Sequence, residues 1–209
     1  MKVTYFQEES WIYPFVMRHP EEMNENLPLI VLLHGAGERG DGKEQLSLVE
    51  THGFSHVFTE DSHYDCLLVQ PQCKEDSFWV ADIPSVLAFI EQVAEAFHVD
   101  RNRIYLTGIS MGGFGTWYTA MAKPDLFAAI APCCGGGMPW NAGVLTMPVW
   151  AFHGAIDSVV SARESIEMIE SLQKTNPDAH LTLYENVDHD SWTRAYTKEM
   201  LHWLLSKHK

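Results

Sequence analysis

The residue types that could carry chemistry in this chain centre on Ser110, the middle residue of a G-x-S-x-G pentapeptide at positions 108–112. The pentapeptide follows a short β-rich run and opens a helical stretch. A serine on such a sharp strand-to-helix turn presents its hydroxyl clear of the sheet, and side chains two residues away on either side would collide across the turn. The motif therefore predicts a nucleophilic serine rather than a helix start whose glycines only permit close packing.

A serine hydroxyl needs a base to take its proton and a carboxylate to orient that base. Asp157 and His189 have these types, and each follows a predicted strand, 149–152 for the acid and 181–184 for the histidine. Functional side chains of parallel sheets gather at the carboxyl ends of the strands. We therefore expect Ser110, His189 and Asp157 to meet there as a triad.

Other acids and histidines offer alternatives. Asp188 and Asp190 compete for the orienting role, but both lie too close in sequence to His189 to reach its Nδ1 easily. Asp190 is predicted instead to cap the last helix. His34 and His153 each precede a glycine at a predicted strand end, so we expect them to shape their loops.

Metal binding is not predicted. His52 and His56 have the i,i+4 spacing of helical metal ligands, but no third ligand accompanies them. The four cysteines form no convincing metal-ligand or disulfide pattern and are expected to be small buried residues. We expect neither a metal nor an organic cofactor.

Acyl transfer also needs hydrogen-bond donors for the negative oxygen of its transition state. One predicted donor is the backbone N–H of Met111, at the positive end of the helix that begins there. The second is expected from the glycine-rich loop 34–42, with Ala36 as the first choice and Gly37 as the second. That loop lacks the Gly-Lys-Ser/Thr ending of a phosphate-binding P-loop, which disfavours nucleotide binding.

The elements that must position these residues are short β-rich runs alternating with helical stretches, a pattern typical of a mainly parallel sheet with helices on both faces. Asp82 is predicted to cap a helix, Ser161 and Glu164 to form a capping box, and the last helix to run on from Trp192. We predict one α/β domain over residues 1–209, with about seven or eight strands. After an antiparallel pair within 5–17, strands are expected at 29–33, 66–69, 104–107, 127–131, 149–152 and 181–184.

Composition excludes several protein classes. The chain has 209 residues, is 46% apolar and carries a formal charge of −14, so it is neither disordered in composition nor suited to nucleic acid. The longest apolar run, 127–134, is far shorter than the roughly 18 residues of a membrane span. The N-terminal residues have no apolar signal-like region, and with the cysteine usage this predicts a cytoplasmic protein. A homodimer is left open.

Taken together, the loop 34–40, the turn at Ser110 and the loops of Asp157 and His189 resemble the α/β-hydrolase superfamily. Within it the chain resembles small bacterial carboxylesterases of the phospholipase/carboxylesterase type, some of whose relatives are labelled predicted peptidases. The resemblance extends over residues 13–204. It implies an α/β-hydrolase fold with the serine as nucleophile, the histidine as base and the aspartate as orienting acid.

The resemblance also implies that Glu38 and Arg39 brace the oxyanion loop by local ion pairing. Many lipases of the superfamily insert a helical cap between the strands predicted here at 127–131 and 149–152, and too few residues separate them for one. The site is therefore expected to be open and to take short acyl or aryl soluble esters. Three tryptophans near the expected site could form an aromatic wall or be ordinary packing. They are Trp79, Trp140 and Trp192.

These observations predict a serine carboxylesterase that acts on a small-molecule ester. A peptidase or thioesterase would use the same three residues, although amide cleavage needs better protonation of the leaving group and extended substrate binding. The alternative of another kind is a non-catalytic binding module on a hydrolase fold. That alternative is disfavoured because the serine, the histidine and the acid are all present.

Overall fold

The computed structural model describes residues 1–209, which contain one eight-stranded sheet. The strands occur in the sheet in the order β1-β2-β4-β3-β5-β6-β7-β8. β1 and β2 pair antiparallel, as do β2 and β4, and every pair from β4 to β8 is parallel. The predicted mainly parallel sheet is thus confirmed. The strands are β1 Lys2–Phe6, β2 Phe15–His19, β3 Leu29–Leu33, β4 Leu67–Pro71, β5 Ile104–Ile109, β6 Ala129–Cys133, β7 Val149–Gly154 and β8 Ala179–Tyr184.

Five α-helices accompany the sheet, and short 3-10 helices occupy several of the loops. None of the helices has both the length and the apolar character that a bilayer crossing requires. The α-helices are α1 Ile83–Ala96, α2 Met111–Ala122, α3 Arg163–Leu172, α4 Trp192–Ala195 and α5 Lys198–Leu205.

The alternation of side chains along β3 explains why both faces of the sheet are covered. Leu29, Val31 and Leu33 point into the larger core cluster, which also contains buried residues of α1, α2 and α3. Ile30 and Leu32 point the other way, into a second cluster that includes residues of α4 and α5. Because every β3 residue is apolar and buried, the strand reads as a continuous apolar run.

The helix caps predicted from the sequence agree with the structure at α1 but not at α3. The Asp82 side chain accepts a hydrogen bond from the Ser85 N–H at 3.1 Å, so the predicted cap of α1 is present. The capping box predicted for α3 is wrong, because the helix begins at Arg163 and has no side-chain cap bond. The Ser161 hydroxyl instead accepts a bond from the Arg163 N–H at 3.4 Å.

The predicted single C-terminal helix is also wrong, since it is broken into α4 and α5. The hydroxyl of Thr197 accepts a hydrogen bond from the Met200 N–H and starts α5 as a separate helix. Asp190 does not cap α4 with its side chain, since Ser191 is the N-cap residue and only the Asp190 carbonyl bonds to Thr193. The sequence signal at Thr197 was masked by apolar residues spaced as in one continuous helix.

The parallel strands bring several loops to one edge of the sheet. The loops that follow β3, β5, β7 and β8 all leave from the carboxyl ends of these strands. Between β6 and β7, residues 134–148 contain only the 3-10 helix Pro139–Val144, so no capping domain covers this edge. The edge therefore collects the sequence motifs without a capping domain above them.

The closest backbone approach at this edge occurs at Gly112, in the first turn of α2. A Cβ atom there would overlap the carbonyl oxygen of Leu33 and lie 2.7 Å from that of His34. We expect Gly112→Ala to lower the free energy of unfolding by about 3 kcal/mol, because backbone cannot yield as a flexible side chain does. Urea denaturation monitored by circular dichroism measures the change.

The matched control is Gly143→Ala, because a Cβ at Gly143 meets nothing nearer than the Thr175 hydroxyl at 3.8 Å. That variant should unfold at nearly the wild-type urea concentration. Equal destabilisation by the two substitutions would contradict the close approach of α2 to the end of β3.

Candidate active site

The backbone at Ser110 is strained. β5 ends at Ile109 and α2 begins at Met111, so the whole reversal falls on Ser110, whose φ is 53° and ψ −111°. Such angles are costly for a residue with a side chain and persist only where surrounding structure imposes them. A Cβ at Gly108 would overlap the Gly112 carbonyl, which explains why glycine occupies both ends of the pentapeptide.

The structure brings the three predicted triad residues together. The Ser110 Oγ lies 2.9 Å from His189 Nε2, and His189 Nδ1 lies 2.8 Å from Asp157 Oδ2. The Nδ1 proton is donated to the carboxylate, which leaves Nε2 free to accept the proton of the serine hydroxyl. The three side chains thus form one connected proton path.

The Asp157 side chain is completely buried, so protein donors must satisfy its charge. Besides the His189 ring, the N–H groups of Val159 and Val160 donate to Oδ1 at 2.9 and 2.8 Å. Burial raises the pKa of Asp157, but the hydrogen bonds from His189 and the two backbone groups outweigh it and lower the pKa overall. The group is therefore a carboxylate at neutral pH.

Asp188, the competing acid, bonds elsewhere. Its Oδ1 accepts hydrogen bonds from the backbone N–H groups of Ser158 and His189, each at 2.8 Å. The hydrogen bond from the Ser158 N–H is the main reason that the pKa of Asp188 is lowered. Asp188 therefore ties the β7 loop to the β8 loop through backbone, whereas Asp157 bonds to the imidazole itself.

The backbone N–H groups expected to bind a negative oxygen are unpaired at the helix starts. Met111 is the first residue of α2, and Ala36 and Gly37 open the 3-10 helix Ala36–Glu38. First-turn N–H groups have no partner within their own helix, and none of these three bonds elsewhere in the protein. The Ala36 loop runs beside the turn, since a Cβ at Gly35 would lie 3.6 Å from the Ile109 carbonyl oxygen.

Residues 15–204 match the family model described as Phospholipase/Carboxylesterase. The chain belongs to this phospholipase/carboxylesterase family. It shares 29% identity over 155 residues with the bifunctional acetylxylan esterase/xylanase XynS20E of Neocallimastix patriciarum, a match covering 69% of this chain and 21% of that protein. It is 24% identical over 147 residues to feruloyl esterase B of Thermothelomyces thermophilus, over 68% of this chain and 50% of that one.

Among solved structures, a thermostable esterase superposes with a TM-score of 0.81 and 29% identity. The match covers 100% of this chain and 63% of the esterase chain. The predicted α/β-hydrolase fold is thereby confirmed. Both curated relatives are longer than the part that matches, and the chain spans at most half of their length.

In this carboxylesterase-family chain, the predicted substrate contact of Trp79 is wrong. Trp79 is only 1% exposed and packs in the larger core cluster. Its Nε1–H donates to the His34 carbonyl at 2.9 Å, and its ring contacts the His34 ring edge-on. Trp79 therefore packs against the loop that carries Ala36 and supports it from the protein interior. The position of Trp79 in a predicted loop could not show whether its ring is buried or exposed.

His34 fixes the same loop from within. Its Nδ1–H donates to the Gly35 carbonyl at 2.5 Å, and its Nε2 accepts from the Cys73 N–H at 2.9 Å. Burial lowers the pKa of His34 to about 4, against the opposing effect of the Gly35 bond, so the ring is neutral. The expectation that His34 shapes its loop agrees with these contacts.

The ion pair implied between Glu38 and Arg39 is not found. Glu38 lies near two imidazoles instead, 3.7 Å from His52 Nε2 and 4.0 Å from His34 Nδ1. Arg39 donates to the carbonyls of Ala36 at 2.9 Å and Ser77 at 3.3 Å. Both residues brace the loop, but Glu38 does so beside two imidazoles and Arg39 through backbone carbonyls.

Of the two remaining tryptophans, only Trp192 contacts the triad. Its ring lies edge-on to the His189 ring at 5.2 Å and contacts the His52 ring at 5.4 Å. Trp140 is 82% exposed on the 3-10 helix between β6 and β7.

Sequence reasoning considered His52 only as a metal ligand and missed its place beside Trp192. Both line a cavity of about 250 Å³ with Thr51, Gly53, His56 and Thr193.

One group of side chains at the triad has metal-ligand types. Ligand atoms of Cys134, Asp157 and His189 lie within 4.8 Å of one another. Burial raises the pKa of the Cys134 thiol well above its usual range, which disfavours the thiolate that a metal needs. The carboxylate and imidazole are already bonded to each other, so these residues fit proton transfer better than metal binding.

The two loop acids provide a direct test of the triad. Asp157→Asn should lower kcat for an ester substrate by about 10³–10⁴-fold, because an amide cannot hold His189 in the required tautomer. Asp188→Asn is the matched control and should retain most activity, because Asp188 bonds only to backbone and to Ser158. Steady-state kinetics measures both, and a larger loss in the Asp188 variant would contradict the assignment.

Proposed function

We propose that this protein is a serine hydrolase that cleaves carboxylic esters through an acyl-enzyme intermediate. The observation that carries the proposal is the pair of hydrogen bonds, 2.9 and 2.8 Å, that link Ser110 to His189 and His189 to Asp157. Membership of the phospholipase/carboxylesterase family supports the same reaction class. The fold alone would not, because unrelated activities share it.

The reaction follows from the direction of these bonds. Ser110 Oγ attacks the ester carbonyl while its proton passes to His189 Nε2, and Asp157 stabilises the imidazolium that forms. The bond between the carbonyl carbon and the alcohol oxygen then breaks, and His189 returns the proton to the leaving alcohol. A water molecule repeats the sequence on the acyl-enzyme, which releases the carboxylic acid and the free serine.

The tetrahedral intermediates place a negative charge on the former carbonyl oxygen. The N–H groups of Met111 and Ala36, with Gly37 as the alternative second donor, are proposed to bind it. Their lack of other partners and the start of α2 at Met111 support this role. Each such donor typically contributes roughly 3 kcal/mol to the stabilisation of the transition state.

The proposed substrates are soluble esters with a short acyl or an aryl group. The open edge beside residues 134–148 supports this choice, because no cap encloses a long acyl chain. The relatives named for acetylxylan and feruloyl esters point in the same direction. Trp192 and Trp140 are the proposed aromatic contacts for the substrate, with Trp192 favoured by its contact with His189.

A peptidase or thioesterase remains the alternative with the same residues, and the esterase names of both relatives favour the ester.

We further propose that residues 1–209 act as one domain, since helices on both faces pack on the same sheet. A cytoplasmic location is supported by four cysteines that are all free.

The nucleophile is tested by intact-mass analysis after treatment with a fluorophosphonate. Wild type should gain one adduct, whereas Ser110→Ala should gain none and lose at least about 10⁴-fold in kcat/KM. The control is Ser206→Ala, whose hydroxyl bonds only to the Trp203 carbonyl at the end of α5. Labelling of Ser110→Ala to the wild-type extent would place the reactive group elsewhere.

The open site is tested with nitrophenyl esters of increasing acyl length. We expect kcat/KM to be highest for acetate and butyrate and to fall for long chains, because no apolar tunnel shields the added methylenes from water. Activity that rises steadily toward long acyl chains would contradict the proposed substrate class while leaving the serine mechanism intact.

A further inference from the structure

A second histidine lies against the acid of the triad and has no part in the mechanism above. His153 is near the end of β7, four residues before Asp157, and its side chain is completely buried. A buried imidazole must satisfy both ring nitrogens within the protein. The partners of these nitrogens show what the residue does.

The ring nitrogens of His153 face different kinds of neighbour. Nε2 lies 3.0 Å from the Val160 carbonyl oxygen and 3.3 Å from Asp157 Oδ2. Both of these atoms only accept hydrogen bonds, so Nε2 must hold a proton. Nδ1 lies 2.8 Å from the Ser165 hydroxyl, which can donate to it or accept from it. The Nε2 proton therefore lies between two acceptors, the nearer Val160 carbonyl at 3.0 Å and the Asp157 carboxylate at 3.3 Å.

This contact adds a weaker, shared donor to those around that carboxylate. Oδ1 accepts hydrogen bonds from the N–H groups of Val159 and Val160, and Oδ2 accepts one from His189 and lies 3.3 Å from the protonated Nε2 of His153. The two imidazoles thus share one oxygen, at 2.8 Å for His189 and 3.3 Å for His153. A second donor on a shared acceptor draws charge from it and weakens its bond to the first.

We propose that His153 is a positioning residue of the triad, which fixes the Asp157 carboxylate and weakens it as an acceptor for His189. By doing so it sets the pH at which His189 becomes the neutral base. The inference rests on the proposed serine hydrolase function. It assigns to His153 an effect on proton transfer that it exerts only through Asp157.

The other side of the ring connects the acid loop to the nucleophile helix. The Ser165 hydroxyl lies 2.8 Å from both the Gly135 carbonyl oxygen and His153 Nδ1, so its single proton is shared between these two acceptors when the ring is protonated only on Nε2. Gly135 in turn packs directly on the first turn of α2, since a Cβ there would overlap backbone atoms of Gly113. His153 therefore stands in a continuous chain of contacts from Asp157 to the helix that begins after Ser110.

The ionisable neighbours of the His153 and His189 rings come from the surrounding loops, and burial is the main reason that the pKa of His153 itself is lowered. The ionisable groups from the loops around them are Asp157, Asp188 and Cys134, while α3 contributes the uncharged Ser165. Burial raises and hydrogen bonds lower the pKa of Asp157, with a net decrease, and hydrogen bonds lower the pKa of Asp188. Burial raises the pKa of the thiol.

The test compares two substitutions of His153 by the pH profile of kcat/KM. His153→Leu removes the donor, so Asp157 becomes a stronger acceptor and the imidazolium of His189 is stabilised. The acid limb of the profile should therefore move to higher pH by about 0.5–1 unit, and kcat should fall by about tenfold as the carboxylate loses its fixed orientation. His153→Gln keeps an N–H donor near the Nε2 position and should restore the limb toward wild type.

The control is His180→Leu, which removes an exposed imidazole bonded to Asp178 at 3.1 Å at the start of β8, the end of that strand opposite the loop that carries His189. That variant should retain the wild-type profile. Circular dichroism and the extent of fluorophosphonate labelling establish that each variant is folded. An unshifted acid limb in folded His153→Leu would overturn the proposal, as would equal shifts in the leucine and glutamine variants.

A measurement on the wild-type protein keeps the proposal falsifiable if His153→Leu does not fold. Nitrogen-15 NMR of histidine-labelled protein at neutral pH should show the proton of His153 on Nε2 and that of His189 on Nδ1. A His153 proton on Nδ1 alone would overturn the proposal. Absence of any Ser110-dependent hydrolysis in wild type would instead overturn the proposed function, so the two failures are distinguishable.

Discussion

A carboxylate withdrawn from water must have its charge met by donors, and the buried side chain of Asp157 imposes this requirement on the whole edge of the sheet. Its hydrogen-bond donors come from its own loop and from the loop after β8, and the protonated ring of His153 on β7 lies 3.3 Å away. These donors cannot converge unless β7 and β8 pair in register and their loops fold back together. The geometry of His189, and through it the contact with Ser110, depends on this single buried charge.

The sheet meets that requirement because parallel pairing sends the loops of β3, β5, β7 and β8 to the same side. The turn at Ser110 then needs close backbone approach, which the glycines at 108 and 112 allow. Trp79 and His34 fix the neighbouring loop by hydrogen bonds that are fully buried. Each of these contacts restricts the local conformational freedom of the chain and holds a polar group in one place.

Part of this arrangement could be predicted from short stretches of the sequence. The apolar runs predicted the strands, and the G-x-S-x-G turn, Asp157 and His189 could be located because each follows such a run. The predictions that failed concern where side chains point. The sequence around Trp79 is compatible with a ring that points into the core or out to solvent. Thr197 lies within a run of apolar residues whose spacing fits one continuous helix. Glu38 meets His52 only because two loops approach in space.

The contact between Ser110 and His189 joins residues that are 79 positions apart, and the one between His189 and Asp157 spans 32. Closing chain segments of this length costs conformational entropy, which the pairing of the intervening strands offsets. No partly folded intermediate lacking β8 possesses a connected proton path. Under the proposed function, activity therefore requires every strand from β5 to β8 to be in place, and its loss is expected to report disruption anywhere in that half of the sheet.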